Sequence, residues 1–390
     1  MRVGLEVLLD RPPEWMTGAR LGLLMNQASV DWRGRYACDL VADAFSGRLE
    51  AIFSPQHGLW CEEQDNMIET PHGVYRRLGI PVYSLYSDTR RPTAEMLEKI
   101  DCLLVDLQDV GTRVYTFVWT VSHCLEACAE VGVPVVVLDR PNPLGGDVFE
   151  GPLLDPAFVS FVGRAAIPMR HGLTLGELAR LIDEELGLGA ELRVIPMQGW
   201  RRSMLFPATG RSWVAPSPNM PRFETAVVYP GAVLFEGTNL SEGRGTTTPF
   251  ELVGAPYIDP FDLADALAEY PTPGLVVRPV RFRPTFNKWA DESCGGVAWG
   301  FLEARAVRSY TAALSILACV RQLYPAHFAW SEPPYEYETV RMPIDIVSGR
   351  DQLRRSLDEG HTSPQDVRRL AELDVDAWRD RAARYFLYPP

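Results

Sequence analysis

The sequence predicts an α/β fold, a Rossmann-like doubly wound parallel sheet followed by a smaller α+β unit. Three observations carry that reading. Over the first 150 residues short β-rich runs alternate with amphipathic stretches, the pattern of successive βαβ units. Two of those runs are almost continuously apolar, as strands buried on both faces of a parallel sheet are. The polar residues fall just past the ends of the runs, on the rim where open α/β sheets hold their ligands.

The predicted strands are 20–26, 49–54, 80–86, 101–107 and 133–139. Between the last two, the spacing of Phe117, Val121, Leu125 and Cys128 predicts a helix over 116–131 with one apolar stripe against the sheet. The rim then receives Asn26 and Gln27, Gln56 and His57, Asp106, Gln108 and Asp109, and Asp139, Arg140 and Asn142. Residues 141–170, rich in Pro and Gly, read as a long ordered loop. Thr174 followed by Glu177 forms a capping box that starts a helix over 174–186, with a strand at 191–195 after it. The stretch 196–256 is dominated by Gly, Pro, Ser, Thr and Asn, yet its aromatics and arginines make it too rich for a linker, and long loops in compact domains are usually functional. Beyond it, helix 260–269, strand 275–282, helix 309–322 and helices 350–358 and 363–386 form the smaller unit. We expect domains at 1–215 and 216–390.

The chain has 390 residues, which at roughly 150 residues per domain suggests two domains. Its 46% hydrophobic and 23% charged residues are close to those of ordinary soluble proteins, so disorder and fibrous structure are excluded. A net charge of −13 with no polybasic run makes nucleic acid and anionic membrane surfaces poor partners. Charged residues interrupt the first segment, and no run of about 18 apolar residues occurs, so neither a signal peptide nor a membrane span is expected. The seven cysteines are an odd, scattered set without CxxC spacing, which suits a reducing cytoplasm. Neither GxGxxG nor a P-loop follows the first strand, so no nucleotide cofactor is expected.

Three segments carry polar groups that could do chemistry. The loop 54–70 gathers Gln56, His57, Glu62, Glu63, Asp65, Asn66 and Glu69, where carboxylates of raised pKa could act as acids; the plain alternative is a solvated acidic loop. Asp106, Asp109, Arg113 and Tyr115 lie where a strand turns into a helix, and the arginine could clamp a substrate carboxylate or only fix the turn. The run 234–251 spaces Glu236, Asn239, Glu242 and Arg244 with glycines that let a ligand approach the backbone, or else forms a flexible surface loop. A cluster of His57, Asp106, Asp109 and Asp139 would suit a metal, but no metal-site spacing supports it and no metal is expected. GxSxG is absent, and Cys61 has no evident orienting partner.

The motifs NQASV, FSPQHG, PVYSLY, DLQDVGTRVYT, VVLDRPNPLGG, EGPLL, PMRHGLTLGELA, GWRRSM, PSPNMP, YPGAVLFEGTNLSEGRGTTTPFELVGAP, PTFNKW, CGGV and YEYE occur in that order from about residue 19 to the C-terminus. In these the chain resembles the exo-β-N-acetylmuramidases of the NamZ type, glycoside hydrolase family 171. The resemblance implies a Rossmann-like domain joined to a smaller auxiliary domain, a substrate cleft between them, and release of N-acetylmuramic acid from the non-reducing end of peptidoglycan fragments. On that basis Glu62, Glu236 and Glu242 are the expected pool for acid and base. Asn26, Gln56, His57, Asp109, Tyr115, Asn142, His171, Asn219 and Asn239 are expected to bind the amino sugar, and Arg113, Arg140 or Arg244 its lactyl carboxylate. Many relatives carry Glu-His-Gly where this chain has Gln56-His57-Gly58, and an amide cannot transfer the catalytic proton, so the acid role is expected to pass to Glu62. The rival expectations are a muropeptide-binding protein that has lost the acid, and a metal-dependent hydrolase.

Overall fold

The computed structural model describes residues 1–65 and 67–390; Asn66, counted above in the polar loop, lies outside them. Among the described residues ten strands form two sheets. β1 (Leu21–Met25), β2 (Leu49–Ser54), β3 (Gly73–Tyr75), β4 (Ile80–Ser84), β5 (Cys102–Asp106), β6 (Val135–Leu138) and β7 (Leu192–Ile195) make a seven-stranded sheet in the order β3-β4-β2-β1-β5-β6-β7. The strand order reverses between β1 and β5, which pair in parallel, and this reversal opens the rim of a doubly wound sheet. The sheet is not wholly parallel as expected: the short β3 pairs antiparallel to β4. Every residue of β1, β5 and β6 is buried, which is why those segments read as unbroken apolar runs.

One apolar cluster lies on the face covered by the helices Phe117–Val131 and Leu175–Leu186 and continues into the second half of the chain. The other covers the opposite face with helices Gly4–Asp10 and Ala37–Ala44. The predicted stripe of Phe117, Val121, Leu125 and Cys128 is wholly inside. The capping box at Thr174 is present, its hydroxyl accepting the Glu177 amide while Glu177 returns to the Thr174 amide. Asp139, at the end of β6, accepts from the Thr174 hydroxyl at 2.7 Å, the Gly176 amide at 2.8 Å and the Tyr388 hydroxyl at 2.5 Å. Residues 387–389 are thereby tied to the first sheet, with the Leu387 amide on Glu177 and the Arg202 amide on the Pro389 carbonyl.

The second sheet, antiparallel and ordered β8-β10-β9, is built from β8 (Leu252–Ala255), β9 (Leu275–Phe282) and β10 (Cys294–Phe301). Three departures from the sequence reading belong here. The stretch 196–256, expected to be loop, contains the helix Phe223–Ala232 and a 3-10 turn Val233–Gly237. Nearly all of that helix is buried, so it shows no amphipathic period, and Pro230 and Gly231 disguise it further. β10 was hidden by its Gly295-Gly296 pair, which allows close approach to β8: a Cβ at Gly296 would lie 2.0 Å from the Val253 carbonyl oxygen. The helix expected over 363–386 is instead Pro364–Ala371 and Val375–Ala382, broken where Asp374 takes a φ of +63°. Among the described residues no helix is long and apolar enough to cross a membrane.

Candidate active site

β2 ends at Ser54, and the chain turns sharply at His57 and Gly58, both with φ above +69°. The turn leaves Gln56 buried on the rim. The Thr116 hydroxyl, beside the start of helix Phe117–Val131, donates to the Gln56 carbonyl oxygen at 2.7 Å. The Gln56 amide nitrogen then donates to the Tyr86 hydroxyl at 3.1 Å and to Glu336 at 3.3 Å, and Tyr86 donates to the other Glu336 oxygen at 3.1 Å. Gln56 and Glu336 are 280 residues apart in sequence.

Glu336 sits in a tight turn in which Tyr335 and Glu338 exchange backbone hydrogen bonds, and both Glu336 and Tyr337 have positive φ, at +44° and +68°. Such backbone strain in non-glycine residues persists only where the surroundings enforce it, and it concentrates at functional sites. Here an aromatic wedge enforces it. Tyr337, Tyr86 and Phe161 pack mutually with centroids 5.7–6.0 Å apart, and the Arg90 guanidinium lies over both tyrosine rings.

Glu236, in the 3-10 turn after helix Phe223–Ala232, accepts the Tyr335 hydroxyl at 2.6 Å and pairs with Arg244 Nη1 at 2.7 Å. The same nitrogen meets Glu242 at 2.9 Å, and Glu242 also takes Lys288 at 3.0 Å. The loop carrying Arg244 passes tightly beside Phe286, because at Gly245 a Cβ would lie 2.6 Å from that carbonyl oxygen. Two cavities meet at these groups. An inner one of about 40 Å³ is bounded by Gln56, His57, Tyr115, Thr116, Asn219 and Tyr229, and an outer one of about 370 Å³ by Asp65, Glu242, Lys288 and Glu332. Glu236, Arg244, Tyr335 and Glu336 line both. The inner cavity has room for a few waters, at roughly 10–15 Å³ each. The outer falls within the roughly 300–1,000 Å³ of small-ligand sites.

The electrostatics separate the carboxylates by role. Burial, reinforced by nearby Glu236, pushes Glu336 up to about 7, so it can carry a proton at neutral pH. Burial alone would raise Glu242 as well, but Lys288 and Arg244 outweigh it and hold it at about 2, permanently ionised. Burial also pushes His57 down to about 4, leaving a neutral imidazole whose Nδ1 contacts the Glu63 carbonyl at 2.8 Å.

Of the residues expected at the site, Gln56, His57, Tyr115, Asn219, Glu236, Glu242 and Arg244 line this double cavity. Several others do not. Glu62 is exposed and faces a different cavity, because the reversal at His57 and Gly58 turns it to that side together with Leu59, Trp60 and Glu63. Arg113 is wholly buried and donates to the carbonyls of Pro152, Ile167 and Val347, so it cannot reach a ligand. Arg140 grips both oxygens of Asp106, at 2.6 and 2.8 Å. Asn26, Asn142 and Asn239 spend their amides on the backbone carbonyls of Pro216, Leu173 and His327 respectively. Asp109 and His171 form a buried pair 3.4 Å apart, with Asp109 also accepting the Gly111 amide and His171 the Leu173 amide. All seven cysteines are buried and free, and among the described residues no group of three His, Cys, Asp or Glu is placed to hold a metal ion. Sequence reasoning missed Glu336, Tyr86, Tyr335 and Thr116. Their signal was present in the YEYE, PVYSLY and DLQDVGTRVYT motifs, whose convergence on one cavity spacing alone did not show.

A sheet-rim cleft with buried carboxylates held in opposed protonation, shared between two halves of the chain, supplies the groups that glycosidase chemistry needs. The profile described as exo-β-N-acetylmuramidase NamZ, N-terminal, matches residues 21–224, and the corresponding C-terminal profile matches residues 227–388. The chain belongs to this exo-β-N-acetylmuramidase NamZ family. It is 38% identical over 388 residues to the peptidoglycan β-N-acetylmuramidase NamZ of Bacillus subtilis (strain 168), covering 100% of this chain and 91% of the relative. Two crystal structures of DUF1343 family proteins from Bacteroides fragilis NCTC 9343 share the fold. One has a TM-score of 0.88 at 32% identity, covering 99% of this chain and 98% of the other; the second has 0.76 at 26%, covering 100% and 99%.

Proposed function

We infer that this chain releases N-acetylmuramic acid from the non-reducing end of peptidoglycan-derived fragments, with Glu336 as the proton donor and Glu236 as its partner carboxylate. The observation that carries the assignment is the Glu336 carboxyl itself, buried between the two cavities, raised to about 7 and braced by Gln56 and Tyr86. In this reading the acid role does not pass to Glu62, which faces elsewhere. It rests with Glu336, directly across from the amide that replaces the family's usual glutamate.

Glu336 would protonate the glycosidic oxygen as the bond to the leaving sugar breaks, Glu236 facing the positive charge that develops on the ring being released; a water then bonds to that ring carbon and gives its proton back to Glu336. Tyr335 and Arg244 fix Glu236 in place. Arg244 spends Nη1 on two carboxylates, and its Nη2 has no hydrogen-bond partner among the described residues, which suits it to the lactyl carboxylate of the sugar. His57, Tyr115 and Asn219 line the inner cavity and would orient the sugar from that side. Glu242 stays ionised and holds Arg244 and Lys288. We place the reaction in the cytoplasm on recycled wall fragments, a reading supported by seven cysteines that remain thiols; recovery of the protein from a periplasmic or culture fraction would overturn that placement.

The test is Glu336→Gln assayed on a chromogenic β-N-acetylmuramide. Loss of a general acid lowers kcat/KM by about 10²–10⁴-fold. The wild type should lose activity as pH rises through about 7, where Glu336 gives up its proton, and the variant's residual activity should lack that limb. Retention of half the wild-type activity would sink the assignment.

A further inference from the structure

The loop 55–65 has two faces, and only one of them looks into the catalytic cavities. Its other face, with Gly58, Leu59, Trp60, Glu62 and Glu63, walls a separate cavity of about 480 Å³ closed by β3 and the residues around it. That volume exceeds the catalytic outer cavity and lies within the range of small-ligand sites. Gln56 in one site and Gly58 in the other are two residues apart, so their Cα atoms are at most about 7.6 Å from each other. His57 Nδ1 and the Glu63 carbonyl tie the two faces of the loop together at 2.8 Å.

The lining has the composition of a carbohydrate site. Trp60 is 43% exposed yet fixed, packed edge-on against Tyr36 at 5.3 Å and tilted against Tyr75 at 6.1 Å. A rigid, partly open indole offers an apolar platform for the C–H face of a pyranose ring. Glu62 and Glu63 can accept sugar hydroxyls, and His72, whose Nδ1 accepts the Ser84 amide, carries its proton on Nε2 as a donor. Arg77 is occupied by Asp39, but Arg76 is exposed and has no ion-pair partner among the described residues.

We propose that this cavity is a second subsite, which holds a sugar residue from the leaving-group side of the fragment on Trp60 and an acidic substituent of that fragment on Arg76. The proposal rests on the function proposed above: an enzyme that removes one terminal sugar at a time must let the remaining chain leave the cleft, and this cavity lies directly across the wall that carries Gln56.

The experiment compares two substrates with the full chain: a chromogenic β-N-acetylmuramide, which fills only the catalytic cleft, and a tetrasaccharide of alternating N-acetylmuramic acid and N-acetylglucosamine. The ratio of kcat/KM for the tetrasaccharide over the monosaccharide should fall about tenfold in Trp60→Ala and in Arg76→Ala, through KM and not kcat. An unchanged ratio in both variants overturns the subsite, including the case in which both substrates lose activity equally. Should the wild type hydrolyse neither substrate, the proposed function fails separately, and calorimetric titration of the tetrasaccharide decides the subsite. An affinity at least tenfold weaker in Trp60→Ala supports it, and equal affinity overturns it.

Discussion

At the scale of single residues, the chemistry turns on an amide standing opposite an acid. Gln56 donates to Glu336 and so resembles a permanently protonated carboxyl facing it. Gln56→Glu would set two carboxyls 3.3 Å apart, and like charges that close disfavour a second ionisation. Glu336 and its new neighbour should then share a proton to higher pH, moving the alkaline fall of kcat/KM above pH 7 by about one pH unit or more; a pH profile of the variant checks this. Residue types were readable from the sequence, but their partners were not. Glu236, Arg244, Gln56 and His57, singled out because glycine-rich or rim segments carry them, do line one cavity. Arg113 and Arg140 were misassigned because a guanidinium buried on carbonyls or on Asp106 looks identical in sequence to one waiting for a ligand.

Elements with local signatures were legible, and those defined by tertiary packing were not. The Thr174 box and the stripe of helix Phe117–Val131 are encoded within a few residues and appear as expected. Helix Phe223–Ala232 is made by its surroundings. It packs on helix Ser309–Leu323 so closely that a Cβ at Gly231 would sit 1.9 Å from the Ser309 carbonyl oxygen. Gly231→Ala should therefore destabilise the protein by about 1–3 kcal/mol or more, the usual cost of overpacking, despite alanine's better helix propensity. The measurement is a denaturation midpoint. Because Glu236 follows this helix directly, the variant should also lose activity below its melting temperature.

Across the whole molecule, the site exists only where distant segments meet, with the rim of the first sheet supplying Gln56 and Thr116 and the later segments supplying Glu236, Arg244 and Glu336. Periodicity could place the rim but not say which segments would close over it, which is why Glu336 went unseen. The charge of −13 bears on the reaction as a whole. A muramic acid fragment is itself anionic, so encounter is opposed by long-range repulsion that falls off over a Debye length of about 10 Å at 0.1 M salt. Raising ionic strength from about 0.01 to 0.2 M should increase kcat/KM on the natural fragment by a few-fold, with a smaller effect on kcat. Steady-state kinetics across a salt series would show it.

The stitching of residues 387–389 onto Asp139, Glu177 and Arg202 has its own consequence for how the protein is made. The first sheet is largely encoded before residue 200, yet the acceptor at the tip of β6 receives its Tyr388 donor only after 249 further residues have been synthesised. The first half therefore waits on the ribosome with that bond at the tip of β6 unmade, and the two halves lock together only once residue 388 has been added.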